Sequence, residues 1–265
     1  MAASALFCRP GVTLLSLGFM VIRRIAPYLL IALLSACQPA KATSTLPPPT
    51  EPPSPTPTAS PSPTPLPPTA TPTLPPAPRT FTEGFDGVLP YWTFLQIDFG
   101  QAASTPNAEG GSLIFNLAAQ NQWVYALYSV PDYADVRVDA QVADNPGQVG
   151  AVGVVCRYSA EQGWYEFNIY EDQTYELLHG QWLAPGVARY TPLFRGVSPK
   201  IKGDVNEIGL ECRGDILTPF INGTQLRIWQ EDKFSLIDGK IGISAASFAD
   251  VPFTAAYDWV KVSQP

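Results

Sequence analysis

The chain has 265 residues, 29 of them proline, with four cysteines, one histidine and a formal net charge of −7. From residue 79 onward 12 Lys and Arg face 22 Asp and Glu, and the acidic residues are scattered. Phosphate backbones and anionic lipid surfaces are therefore poor partners, which sets nucleic acid aside, and a single histidine with no Cys-x-x-Cys pair argues against a zinc site.

The first element is a signal region over residues 1–37. Arg23 and Arg24 form a positive segment, residues 25–34 an apolar one, and Leu34-Ser35-Ala36-Cys37 places small residues before a cysteine. This layout resembles a bacterial lipoprotein signal. The resemblance implies lipidation of the Cys37 sulfur, cleavage before that residue, and a membrane held only through acyl chains, each buried CH₂ contributing about 0.8 kcal/mol. The alternative is a plain signal peptide or an uncleaved anchor, for which the apolar run is short against the roughly 20 residues of a span. Met20 also suits a start, in which case residues 1–19, with Cys8, fall outside the mature protein.

Residues 38–78 are rich in Pro, Thr and Ser, as in Pro61-Ser62-Pro63-Thr64-Pro65. Such a segment buries no core and favours extended polyproline geometry. At about 3.1 Å per residue it reaches at most on the order of 120 Å, a stalk that lifts residues 79–265 away from a membrane. The expected address is extracytoplasmic, lipid-anchored at the cell surface.

Residues 79–265 suffice for one domain with a substantial core. Alternating apolar and polar runs broken by Gly, Pro, Asn and Asp predict strands at 111–117, 123–130, 135–142, 151–158, 164–170, 174–178, 206–213, 217–221, 224–229, 239–245 and 255–262. Asn222-Gly223 suits a type I′ turn and also completes an Asn-Gly-Thr sequon. No stretch carries a convincing helical period, so the expected class is all-β, a sandwich of two antiparallel sheets. Cys156 and Cys212 are expected to pair in an oxidising compartment, with two buried thiols as the alternative.

If those cysteines bond, their period-two neighbours Val152, Val154, Ile208 and Leu210 line the core, and Arg157, Glu207, Glu211 and Arg213 point the other way. On the next strand Tyr165, Phe167 and Ile169 form the apolar set, leaving Trp164, Glu166, Asn168 and Tyr170 opposite. Aromatics flanking a carboxylate, an amide and a guanidinium suit a sugar, whose C–H faces stack on rings and whose hydroxyls accept and donate. Arg157, Trp164, Glu166, Asn168, Tyr170 and Glu211 are the candidate ligand-binding residues. The plain alternative is a solvated sheet face with Arg157 paired to Glu166 or Glu211. His179 reads as a solvated turn residue rather than a general base.

Several segments in order resemble the concanavalin A-like lectin/glucanase superfamily, in particular its laminin-G-like and 3-keto-disaccharide hydrolase-like domains. They are Phe81-Thr82-Glu83-Gly84-Phe85-Asp86 with Trp92, Gly111-Ser112-Leu113-Ile114, Gly153-Val154-Val155-Cys156-Arg157-Tyr158, Trp164-Tyr165-Glu166-Phe167, Phe220-Ile221-Asn222-Gly223, Gly239-Lys240-Ile241-Gly242-Ile243 and Tyr257-Asp258-Trp259-Val260-Lys261-Val262. The resemblance implies a jelly roll whose first and last strands pair and whose concave sheet carries ligand. Glucanase members place Glu-x-Asp-x-Glu on a concave strand; here Asn168 and Tyr170 replace the second and third carboxylates of that pattern, and Glu171 has the wrong parity. Glu166 with Glu211 is the remaining two-carboxylate combination, and hydrolysis needs separations of about 5–10 Å. No cofactor is expected, but superfamily members often hold a structural Ca²⁺, for which Asp86 and Asp258 are the residues to inspect.

Three functions remain: a lectin-like module binding a polysaccharide or cell-surface glycan, a glycan-cleaving hydrolase, and a protein-interaction domain. The last expects Trp164 and Tyr170 to be covered by a loop rather than open in a groove.

Overall fold

The computed structural model describes residues 74–97, 104–144 and 149–265. The signal region with Arg23, Arg24 and Cys37, the choice between Met1 and Met20, and the stalk up to residue 73 lie outside them.

The described residues form strands and turns only. In chain order the strands are β1 (Phe81–Glu83), β2 (Trp92–Ile97), β3 (Asn107–Glu109), β4 (Ser112–Leu117), β5 (Trp123–Tyr128), β6 (Val136–Asp144), β7 (Gly150–Ser159) and β8 (Gly163–Tyr170). They continue with β9 (Thr174–Ala184), β10 (Val187–Val197), β11 (Val205–Arg213), β12 (Ile216–Ile221), β13 (Thr224–Gln225), β14 (Trp229–Gln230), β15 (Lys240–Ser247) and β16 (Phe253–Ser263). All pairings are antiparallel. One sheet runs β13-β12-β11-β6-β16-β4-β3, with β1 on β16 and β14 on β12; the other runs β10-β9-β8-β7-β15-β5-β2. The two sheets pack as a jelly-roll sandwich. β1 pairs with the last strand, Phe81 opposite Val262 and Glu83 opposite Val260, as the resemblance implied.

The inner faces follow from alternation. Cys156 and Cys212 are bonded across the sheets, Cα atoms 6.7 Å apart, and Val152, Val154, Ile208 and Leu210 pack in the same core. Tyr165, Phe167 and Ile169 join them from β8. The Tyr257 hydroxyl crosses the layer to the backbone of Gly153, accepting from its N–H at 2.9 Å and lying within hydrogen-bond distance of the Gly153 and Ser244 carbonyls.

Turns and edges account for the differences from the sequence reading. Asn222 and Gly223 both have positive φ, 48° and 73°, as a type I′ turn requires. The Asn222 amide also ties this turn to the Lys200 carbonyl and to Asn206, so the sequon asparagine has a structural use. The strand expected at 224–229 divides into β13 and β14, both short pieces along β12. β9 runs past the expected residue 178 to Ala184, and β10 was not anticipated. Pro185, Gly186 and Pro192 masked it: the first two make the hairpin turn, with Gly186 at φ 75°, and Pro192 sits beside a register shift on an edge strand, where a missing N–H is tolerated.

Candidate functional site

The face of the seven-stranded sheet that points away from the core is where the site forms. Period-two alternation sends Trp164, Glu166, Asn168 and Tyr170 of β8 to this face. On neighbouring strands Glu176 lies opposite Asn168, Leu178 opposite Glu166, and Gly180 opposite Trp164.

Glu166 is the node. Its carboxylate accepts from the Tyr125 hydroxyl at 2.9 Å and the Trp164 indole N–H at 2.9 Å on one oxygen, and from the Ser244 hydroxyl at 2.7 Å on the other. Tyr125 has one proton and gives it to Glu166, so Tyr190, 2.8 Å away, donates to the Tyr125 oxygen. One buried carboxylate thus joins β5, β8 and β15 directly and β10 through a second tyrosine. Burial raises the Glu166 pKa, and the four donors around it, Ser244, Trp164, Tyr125 and Asn168, pull against that rise. Burial, then the proximity of Glu166, pushes both Tyr125 and Tyr190 well up, so the chain of hydroxyls stays protonated.

Around this node the β9–β10 hairpin bends over the sheet. Trp164 is wholly buried against Tyr125, Tyr158, Trp182 and Tyr190. Gly180 is required beneath it, since a Cβ there would run into the indole. Tyr190 reaches across to stack on Trp123 of β5, ring centroids 5.4 Å apart.

What stays open is a cup of about 450 Å³ lined by Trp123, Tyr190, Phe248, Tyr170, Glu176 and Arg195, with Asn168, Ala151 and Leu178 also contributing. Trp123 meets Phe248 edge-on at 5.7 Å, and Phe248 stacks against Tyr170 at 6.1 Å. The Tyr170 hydroxyl donates to Glu176 at 3.0 Å, and the Arg195 guanidinium lies over the Tyr170 ring and 3.8 Å from Glu176. Asn168 is buried, its amide oxygen packed over Gly153, where any Cβ would collide with it. Stacking rings around a carboxylate, an amide and a guanidinium can hold the C–H faces and hydroxyls of a sugar.

Of the six candidate residues the structure brings four together and removes two. Tyr170 and Asn168 line the cup; Glu166 lies behind it as a positioning residue. Trp164 is also behind it rather than exposed, because the hairpin that covers it was not anticipated. Trp164 is covered by strand residues and not by the loop that the interaction-domain reading expects, and Tyr170 lines the open cup. Arg157 leaves this face. A register shift after Cys156 and a positive φ of 53° turn its side chain to the end of the sandwich, where it donates to the carbonyls of Ala134 and Leu236. Glu211 sits on β11, pairing with Arg137 of β6, so it faces out from the other sheet. Parity alone gave "not core" for both strands, but the two sheets have separate outer faces on opposite sides of the sandwich. The Glu166–Glu211 carboxylate pair therefore does not exist.

His179 is not a solvated turn residue. It lies within β9, 1% exposed, its ring flat on Phe234 at a centroid distance of 3.7 Å, and burial lowers its pKa. Asp258 accepts from the Ser112 hydroxyl at 2.9 Å, and among the described residues no three His, Cys, Asp or Glu side chains gather to hold a metal ion. Trp123, Tyr190, Phe248, Glu176 and Arg195 were missed. They come from four separate stretches of the chain, and only the strand order of the sheet brings them to one place.

No family model matches the chain, and no curated protein sequence matches it. Solved structures do. A Bacillus subtilis protein with a galectin-like fold is 12% identical over 69% of this chain and 94% of its own, with a TM-score of 0.51. A glycoside hydrolase family 16 endo-glucanase from Bacteroides ovatus is 11% identical over 69% and 99%, with a TM-score of 0.50. The carbohydrate-binding module CBM66 from Bacillus subtilis is 15% identical over 63% and 92%, with a TM-score of 0.46. At such identities the likeness is one of fold, an antiparallel two-sheet jelly roll.

Proposed function

We propose that this chain is a surface lipoprotein, anchored through Cys37 and extended on the stalk of residues 38–78, whose jelly-roll domain binds a glycan in the cup. The observation that carries the reading is the ring of Trp123, Tyr190, Phe248 and Tyr170 around the buried Asn168 and the Glu176–Arg195 pair. An edge of four half-buried rings beside satisfied polar groups is costly to leave facing water and suits a ligand with alternating apolar and hydroxyl surfaces. The fold shared with a family 16 endo-glucanase fits the same reading.

Binding is favoured over hydrolysis. Two-carboxylate chemistry needs both acids at the ligand, whereas Glu166 is 1% exposed with both oxygens taken by Tyr125, Trp164 and Ser244. The two acids that line the cup are engaged elsewhere, Glu176 by the Tyr170 hydroxyl and Arg195, and Asp172 by Thr174. The test is thermal shift of the purified chain across a panel of neutral, acidic and amino-sugar polysaccharides, with product analysis on every hit. Saturable stabilisation without new reducing ends supports the proposal; stabilisation by none, or turnover of a hit, refutes it.

A further inference from the structure

Resting on the glycan-binding reading, we infer that the cup receives the end of a glycan chain, one or two sugar residues deep, and not an internal stretch. An internal stretch needs a groove open at both ends, so that the polymer enters on one side and leaves on the other. Here the wall closes on itself. Tyr190 stacks on Trp123, Trp123 meets Phe248, Phe248 stacks on Tyr170, and Tyr170 is joined to Arg195 by a cation–π contact and to Glu176 by its hydroxyl. Arg195 and Tyr190 both belong to β10, which completes the circuit.

The same hairpin walls the cup off from the depression lined by Leu95, Tyr158 and Trp182 beyond it. Behind Tyr190 stand Trp164 and Trp182, ring centroids 5.4 Å apart, so a chain lying along the sheet would meet packed aromatics there. The wall is also held firmly, since the hydroxyl of Tyr190 runs through Tyr125 to the buried Glu166. The cup of about 450 Å³ falls within the roughly 300–1,000 Å³ of pockets that enclose small ligands. Recognition is then counted per chain end, and polymer length beyond the cup adds nothing.

The experiment uses the full-length protein and size-graded oligosaccharides, one to six residues long, of mixed-linkage β-glucan, laminarin, xylan and galactan, with the parent polysaccharides before and after partial endo-hydrolysis. Isothermal titration gives affinity against length, and pull-down gives protein bound per gram of polymer. Chain-end recognition gives affinity constant within about twofold from two residues upward, and bound protein rising in proportion to the ends created. Affinity that climbs more than about tenfold between two and six residues, or bound protein indifferent to endo-hydrolysis, overturns the inference while leaving glycan binding in place. No binding to any member of the series overturns the glycan reading itself, and this inference with it.

Discussion

Removal of the Glu166 carboxylate tests whether it builds the cup or works in it. Three donors point at it from three strands at 2.7 to 2.9 Å, and the residue is 1% exposed. In Glu166→Ala the Trp164 and Ser244 donors are left buried without that partner at roughly 1–3 kcal/mol each, Tyr125 can turn its proton to Tyr190, and relief from burying a carboxyl returns part of the cost, so the expected net loss is about 2–4 kcal/mol. Against the roughly 5–15 kcal/mol that holds a domain folded, this is a large fraction. Glu166→Gln keeps one acceptor oxygen, and the Ser244 hydroxyl can rotate to accept from the new amide, so its expected cost is about 1 kcal/mol. The assay is urea unfolding of the full chain followed by tryptophan fluorescence. Glycan binding should be lost in the alanine variant, because Tyr125 and Tyr190 lose their anchor, and retained in the glutamine variant. An alanine variant within about 0.5 kcal/mol of the parent would refute the positioning role. Equally damaging would be a glutamine variant that folds and binds normally but loses a hydrolytic activity of the parent.

Further outcomes rest on the same structure. Between pH 7.5 and 5 two buried groups act in opposite directions: His179, held below its ordinary value of about 6.5, withdraws stability as pH falls, and Glu166, held above about 4.3, adds it. Unfolding midpoints should therefore fall on acidification in Glu166→Gln and rise in His179→Phe, with neither slope exceeding about 1.4 kcal/mol per pH unit. Replacing both Cys156 and Cys212 by Ser opens a loop with a sequence separation of 56 residues and should cost about 4 kcal/mol, read as a lower urea midpoint. Gly180→Ala should disturb the hairpin over Trp164 and change tryptophan emission, since the new methyl would meet the indole. Cys37→Ser should move the protein from the membrane fraction to the soluble fraction, and retention in the membrane would contradict lipid anchoring.

The core was legible in the sequence because one disulfide and period-two alternation together fix which side of each strand faces inward. Val152, Val154, Ile208, Leu210, Tyr165, Phe167 and Ile169 all fall where alternation puts them. The site was half legible. Asn168 and Tyr170 follow from the alternation of β8, but alternation has no memory of which sheet a strand joins, so Glu211 was grouped with residues on the far side of the molecule. Arg157 escaped because a bulge breaks the period at that residue. β10 escaped because Pro192 within it and the Pro185-Gly186 turn before it read as loop, and with it went Tyr190 and Arg195, the two residues that turn an open sheet face into a cup.

The central claim is that the cup binds glycan, and the most direct measurement is isothermal titration of a panel hit into Trp123→Ala and Trp259→Ala. Trp123 lines the cup, whereas Trp259 lies in a shallow groove on the other sheet beside Arg137 and Lys261, so each variant removes one half-buried indole. Affinity should fall by at least about tenfold in Trp123→Ala and stay within about twofold of the parent in Trp259→Ala. Equal affinities in the two variants, or loss in Trp259→Ala alone, would place the ligand elsewhere and contradict the account.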